Sequence, residues 1–285
     1  MRIIDSHLHV WSSDFARYPF EGREELKQMN ASAEFLLRCM DAAGVSGAVI
    51  VQPITYRWDH RYVTECLQRW RDRFRGMCLI NPCDPNAPQT LERLVTANGY
   101  CAVRINPNLY PQGVGLDSDL SDRILEKAAE LGIAVGFLIY PEHFEAVDTL
   151  LTRHPRVNVI IDHFGHCHTR DGGPETNVPL QKLLAMARHP RLHVKLSEFP
   201  RASSEGYPYR DLHSWTHALL RAFGAQRLMW GTDFPFIIEQ CGYTRGLTLL
   251  SEETPGIAST DMEWLLGKTA EKVFGEWEPR VMREA

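Results

Sequence analysis

The chain carries no CxxC pair. Its seven cysteines are odd in number and scattered (39, 66, 78, 83, 101, 167 and 241). None stands in a recognisable nucleophile motif, and the set fits reduced thiols in a cytosol, where cysteine fills core or surface. No apolar run approaches the roughly 20 residues that cross a bilayer. The opening Met1-Arg2-Ile3-Ile4-Asp5 already reads as a strand and lacks the apolar region of a signal peptide. Positive charge is in deficit, with 31 Lys and Arg against 36 Asp and Glu for a net charge of -5. No basic patch is present to release counterions, which argues against a nucleic-acid or anionic-membrane partner. No GxGxxG follows any strand-like run, so dinucleotide binding has no support. No domain boundary, internal repeat or low-complexity stretch interrupts the chain.

What is present suits one large core. The chain has 285 residues, 44% hydrophobic and 24% charged. That length is normal for a single α/β barrel of roughly 250 residues, so one domain over 1–285 is expected. Strand-like runs fall at 2–7, 47–52, 74–80, 100–105, 133–139, 157–162, 193–196 and 228–230. Helical patterns separate them, the first running 32–43 between Ser32 as N-cap and Gly44 as C-cap. Helices near 244–251 and 260–274 close the chain. Near-continuous apolar strands alternating with helices mean a parallel sheet buried on both faces. Eight such units most simply close into a (β/α)8 TIM barrel, with an open doubly wound sheet as the alternative. Helix-to-strand turns are short, while strand-to-helix connections are long, as at 10–31, 106–120, 163–177, 198–210 and 233–243. Long loops at the strand C-termini mark the working face of a barrel enzyme.

Those strand ends are polar. The first gives Asp5-Ser6-His7-Leu8-His9. Side chains alternate along a strand, so His7 and His9 face one way, with Asp5 a layer deeper. Two such imidazoles can hold a metal ion, polarise a carbonyl, or simply satisfy each other. The later strands end in Gln52, Asn81, Arg104 and Asn106, Tyr140, Asp162-His163, Lys195 with Ser197 and Glu198, and Thr232-Asp233. Unpaired buried polar atoms cost about 1–3 kcal/mol each, so a polar group at nearly every strand end points to a shared crater.

With these residues in hand, the chain resembles the amidohydrolase superfamily and, within it, the amidohydrolase-2 group. The matching pieces are Asp5-Ser6-His7-Leu8-His9, Asp162-His163-Phe164-Gly165, Val194-Lys195-Leu196-Ser197 and Trp230-Gly231-Thr232-Asp233-Phe234-Pro235, in that order. The resemblance runs over almost the whole chain. It implies a barrel hydrolase acting at an ester, lactone or amide-like carbon, or a non-oxidative decarboxylase or hydratase. The group includes lactonases of sugar acids and of 2-pyrone-4,6-dicarboxylate, and its barrels often form dimers or larger homo-oligomers. Binuclear members carry a bridging lysine or glutamate on strand four and a histidine on strand five. Here strand four offers Arg104 and strand five offers no histidine. A bridged two-metal site is therefore not expected. His7, His9, His163 and Asp233 remain, enough for one divalent ion, zinc ahead of manganese, with a position open for water. Metal-free action is the alternative.

The roles follow from residue chemistry. Asp233 is expected to take a proton from the attacking water, against the alternative of a helix N-cap. His163, His7 and His9 polarise the carbonyl, directly or through the ion. Arg104 suits a substrate carboxylate by a bidentate pair, or else pairs with Asp5 or Glu198. Lys195 is either a second anion contact or a buried partner of Asp233. Tyr140, Gln52, Asn81, Asn106, Trp58 and Arg201 are expected in the wall. His166 and His168 could shift the ligand set, and Asp5 could brace a histidine from behind. The expected substrate is a small lactone or cyclic ester bearing carboxylate or hydroxyl groups, and a purely binding barrel is the third possibility.

Overall fold

Each strand-like run pairs with the next. A computed structural model describes residues 2–277. Its strands are β1 (Ile4–Leu8), β2 (Gly47–Val51), β3 (Phe74–Leu79), β4 (Tyr100–Ile105), β5 (Ala134–Phe137), β6 (Val159–Ile161), β7 (Leu192–Leu196) and β8 (Leu228–Trp230). All seven neighbouring pairs are parallel, in chain order. Beyond β8 the chain returns to β1 through a Leu8–Phe234 bridge, with Asp233 N–H donating to His7 O (2.8 Å) and His9 N–H to Phe234 O (2.7 Å). The fold is a (β/α)8 barrel. The ends of the expected domain, Met1 and residues 278–285, lie outside the described residues.

The helices form where the sequence marks them. In α1 (Ala33–Ala43), the Ser32 hydroxyl accepts from Phe35 N–H, and Gly44 ends the helix. In the helix Val178–Ala185, the Asn177 side chain accepts from Leu180 N–H. The expected closing helix is split into Ser259–Glu263, a π turn at Trp264–Lys268, and Thr269–Phe274. The widened turn seats Gly267 against the chain entering β1, where any Cβ would collide with the Arg2 carbonyl oxygen.

Two apolar layers hold the barrel. The inner one stacks Ile4, Val49, Val51, Met77, Ala102, Ala134, Ile160 and Met229, plugged at the N-terminal end by Phe274 and Trp277. The outer one packs the alternate strand residues, among them Leu8, Ala48, Ile50 and Val194, under the helices. Apolar burial of this kind contributes about 25 cal/mol per Å², so the inner face is left polar only near the C-terminal rim.

The inner phase of β1 is not regular. Asp5 pairs with Ala48 and Leu8 with Ile50, so three steps on β1 match two on β2. Ile4 faces inward and Asp5 outward by ordinary alternation, and the bulge then leaves Leu8 on the outer face as well. Asp5 therefore does not lie beneath the histidines, contrary to strict alternation. Its carboxylate accepts from Thr232 N–H (3.0 Å), the Thr232 hydroxyl (2.5 Å), the Tyr243 hydroxyl (3.0 Å) and His7 N–H (3.2 Å). It fixes the backbone on both sides of the barrel closure rather than bracing an imidazole.

Candidate active site

The bulge turns His7 inward beside His9, and both meet residues from β6 and β8. The His7 ring lies 5.3 Å from the His9 ring and 4.3 Å from the His163 ring, centroid to centroid. Asp233 Oδ1 stands 3.7 Å from His7 Nε2 and 3.5 Å from His9 Nε2. All four expected residues thus converge, each at most 9% exposed. Asp233 is no helix cap, since its side chain faces the imidazoles.

Partners fix two of the rings. His9 Nδ1–H donates to Val51 O (2.8 Å), which leaves the Nε2 lone pair aimed at Asp233. His163 Nδ1 meets the Ser197 hydroxyl at 2.8 Å. Burial holds His9 well below the usual histidine range, and the Arg104 cation adds to it. Burial does the same to His163, with His7 second. For His7, burial and then Lys195 lower the value to about 4 against the pull of Asp162. The cluster is therefore neutral imidazole at ordinary pH.

The acids are tuned apart. Burial raises Asp233 to about 7, opposed by Arg201 and Arg104. Glu198 is pushed well above the carboxylate range, by burial first and by the Asp233 carboxylate second. Asp162 goes the other way: burial alone would raise it, but Lys195 and His7 hold it well below its ordinary value. Lys195 Nζ sits 3.0 Å from Asp162 Oδ1, with both side chains fully buried.

A crater of about 410 Å³ opens above these groups. Arg104, Asn106, Tyr140 and Arg201 line it as expected, with Trp11 and Phe236 as an apolar wall. Arg104 is 3% exposed, and its guanidinium donates to Gln52 O (3.3 Å) while Nε has no partner. Among the described residues it makes no ion pair, because Asp5 is committed to the closure and Glu198 pairs with Arg201 at 2.6 Å. A smaller chamber of about 290 Å³ adjoins the crater past Tyr140 and His166 and reaches His168 and Arg170.

Three expected wall residues stand elsewhere, and so does Lys195. Lys195 points inward, but a layer below the crater, and it is bound to Asp162 rather than to Asp233. The Gln52 amide donates to the carbonyls of Arg57 and Asp59 behind the wall, since the residue is fully buried. Trp58 lies outside the lining, where its carbonyl accepts from His60 Nδ1–H. Asn81 caps its own turn at Cys83 N–H.

Three contributors were not assigned these roles from sequence. Asp162 is the buried partner of His7 and Lys195. Glu198 faces Asp233, and His166 stacks on Tyr140 at 4.4 Å while its Nε2 lies 3.7 Å from Glu198. The signal for Glu198 was available: Glu198-Phe199-Pro200 repeats the pattern of Asp233-Phe234-Pro235. Among the described residues, six of the eight non-glycine residues with positive φ line the crater: Arg23, Arg57, His163, His166, Glu198 and Asp233. Strain held at a site is a mark of function.

The donor set fits one divalent ion. His7, His9 and Asp233 offer ligand atoms within 4.8 Å of one another, as do His163, Glu198 and Asp233. His7 Nε2 and Asp233 Oδ1 are buried with no hydrogen-bond partner, as atoms meant for a shared cation or water would be. No helix among the described residues is long and apolar enough to cross a membrane.

Comparison with known proteins identifies the family. The chain is similar to 4-sulfomuconolactone hydrolase of Rhizobium radiobacter, 28% identical over 231 residues, 81% of this chain and 75% of that one. It superposes on a candidate 2-pyrone-4,6-dicarboxylic acid hydrolase from Pseudomonas putida with a TM-score of 0.80 and 26% identity, over 96% of this chain and 97% of that one. A zinc-bound amidohydrolase from Burkholderia multivorans shares the fold at a TM-score of 0.76 and 20% identity, over 96% and 99% of the two chains. The amidohydrolase family model matches residues 4–275, and the chain belongs to that family.

Proposed function

We propose that the protein hydrolyses a small carboxylate-bearing lactone, with Asp233 as the base. One observation carries this reading: an unpartnered Asp233 oxygen faces two neutral imidazoles at the floor of a crater that also holds an unpaired guanidinium. The two hydrolase relatives support it, and it fits them better than a decarboxylase reading does.

The residues divide the work. Arg104 takes a substrate carboxylate, which no protein carboxylate occupies, and Arg201, Tyr140 and Asn106 border the rest of the substrate. A water held between His9 Nε2 and Asp233 gives its proton to Asp233 as its oxygen bonds to the lactone carbonyl carbon. His163, with Nδ1 on the Ser197 hydroxyl, can present Nε2–H to the developing oxyanion. The ring C–O bond then breaks, and the proton on Asp233 passes to the departing alkoxide, giving the hydroxy acid. A divalent ion held by His7, His9, Asp233 and His163, zinc ahead of manganese, would supply Lewis-acid activation of water and carbonyl.

The same reading proposes a small anionic substrate with no nucleic-acid or membrane partner, a cytoplasmic setting in keeping with free thiols, and assembly into a homo-oligomer. The test is a panel of lactones with and without a carboxylate, assayed by release of acid. Carboxylate-bearing members turn over fastest if the proposal holds. A panel with no turnover, using metal-free and zinc-supplemented protein alike, rejects it.

A further inference from the structure

His7 is held between two groups that call for opposite tautomers. Asp162 Oδ1 lies 3.2 Å from His7 Nδ1 and can accept a proton from it. Lys195 Nζ lies 3.0 Å from the same nitrogen. An ammonium only donates, so that contact is a bond only when Nδ1 offers a lone pair. All three side chains are fully buried, and Nδ1 cannot donate and accept together, so only one arrangement is satisfied at a time.

The other ring nitrogen carries the consequence. His7 Nε2 faces Asp233 Oδ1 at 3.7 Å, and neither atom has a hydrogen-bond partner. With its proton on Nε2, the ring meets the carboxylate as a donor. With a lone pair there, two acceptors face each other unless a cation stands between them.

We infer that Lys195 and Asp162 form a tautomer switch on His7 that sets the metal affinity of the site. In the metal-free chain, Lys195 donates to Nδ1, and the imidazole carries its proton on Nε2 toward Asp233. A divalent ion needs the Nε2 lone pair, so its binding requires the ring proton on Nδ1, where Asp162 accepts it. One proton is relocated within one neutral ring, and none is gained or lost. Lys195 thus opposes metal binding and Asp162 favours it. The inference rests on the divalent-ion reading of the site and not on which lactone is cleaved.

Nitrogen-15 NMR of the full chain, labelled at histidine and stripped of metal with a chelator, tests this directly. His7 signals are assigned by their loss in His7→Gln. The metal-free protein is expected to carry the proton on Nε2, and zinc is expected to shift it to Nδ1. A proton on Nδ1 before zinc is added overturns the inference, and so does a His7 tautomer that zinc leaves unchanged. Competition with a chromophoric chelator gives a second reading. Lys195→Met should tighten zinc binding about tenfold, and Asp162→Asn should weaken it by about 10- to 100-fold. A Lys195→Met protein that binds zinc no more tightly than the parent also overturns it. Should burial of an unpaired Asp162 keep that variant from folding, the parent spectrum decides alone. Lactone turnover enters neither readout, so failure of the lactonase proposal remains distinguishable.

Discussion

Glu198 and Asp233 are counterparts across the site. Each follows its strand and precedes a Phe-Pro pair, each has positive φ (57° and 59°), and both offer a carboxylate oxygen to one cluster with His163. Each shifts the other: the Asp233 carboxylate helps push Glu198 well above the usual carboxylate range, while a hydrogen bond from Glu198 opposes the rise of Asp233 to about 7. Two neighbouring acids pushed apart in this way can divide their labour, one donating a hydrogen bond and the other acting as base.

This division predicts unequal mutants. Asp233→Asn should lower kcat by about a thousandfold or more with little change in KM. Glu198→Gln, which imitates the protonated acid, should keep most of the activity, and Glu198→Ala should lose more. Steady-state kinetics on one carboxylate-bearing lactone checks all three, and equal losses in the two Glu198 variants would contradict the assignment.

The pH profile follows from Asp233. The base must be ionised, so kcat/KM of the metal-free protein should rise with pH through about 7. A hydrogen bond from Glu198 helps hold Asp233 down. Its removal in Glu198→Ala therefore moves the rising limb to higher pH, whereas Glu198→Gln, which still donates, leaves the limb in place.

Arg104 is expected to act on binding. Replacing its buried guanidinium with Met should cost about 2–4 kcal/mol in kcat/KM for carboxylate-bearing lactones, roughly 30- to 1000-fold. It should cost much less for the matching neutral ester. Equal losses on both substrates would show a structural role only.

Acid stability should depend on a histidine remote from the crater. His60 Nδ1–H donates to Trp58 O, and Nε2 accepts from Leu79 N–H, so the native ring is neutral. Burial lowers it from 6.5 to about 4. Its folded value lies below its unfolded one, so its contribution is complete above about pH 6.5 and is lost as pH falls toward 4. Urea unfolding should show His60→Gln losing about 2 kcal/mol less than the parent between about pH 7.5 and pH 5. An unchanged pH dependence would refute this.

Gly231 should be intolerant. A Cβ there would lie 2.9 Å from His7 Cβ and 3.0 Å from His7 N, in the seam between β8 and β1. Gly231→Ala should destabilise by about 1–3 kcal/mol and reduce turnover by displacing His7. Thermal melts and kinetics check both effects together.

The barrel and the four converging residues were legible because strand periodicity and strand-end chemistry are local. The place of Asp5 was not, because counting by twos fails across a bulge that nothing in Asp5-Ser6-His7 announces. Lys195 and Gln52 show a second limit. Parity says which way a side chain points, and Lys195 does point inward, but depth depends on the stagger between neighbouring strands. Trp58 and Asn81 lie past their strands, where loop geometry overrides any phase.

The barrel closes through the amides of His9 and Asp233, the same residues that build the crater. Opening of that seam would separate base from imidazoles while the other strand pairs stay intact. Catalysis is therefore a strain gauge for the closure: in mild denaturant, activity should fade together with hydrogen-exchange protection of those two amides, ahead of global unfolding.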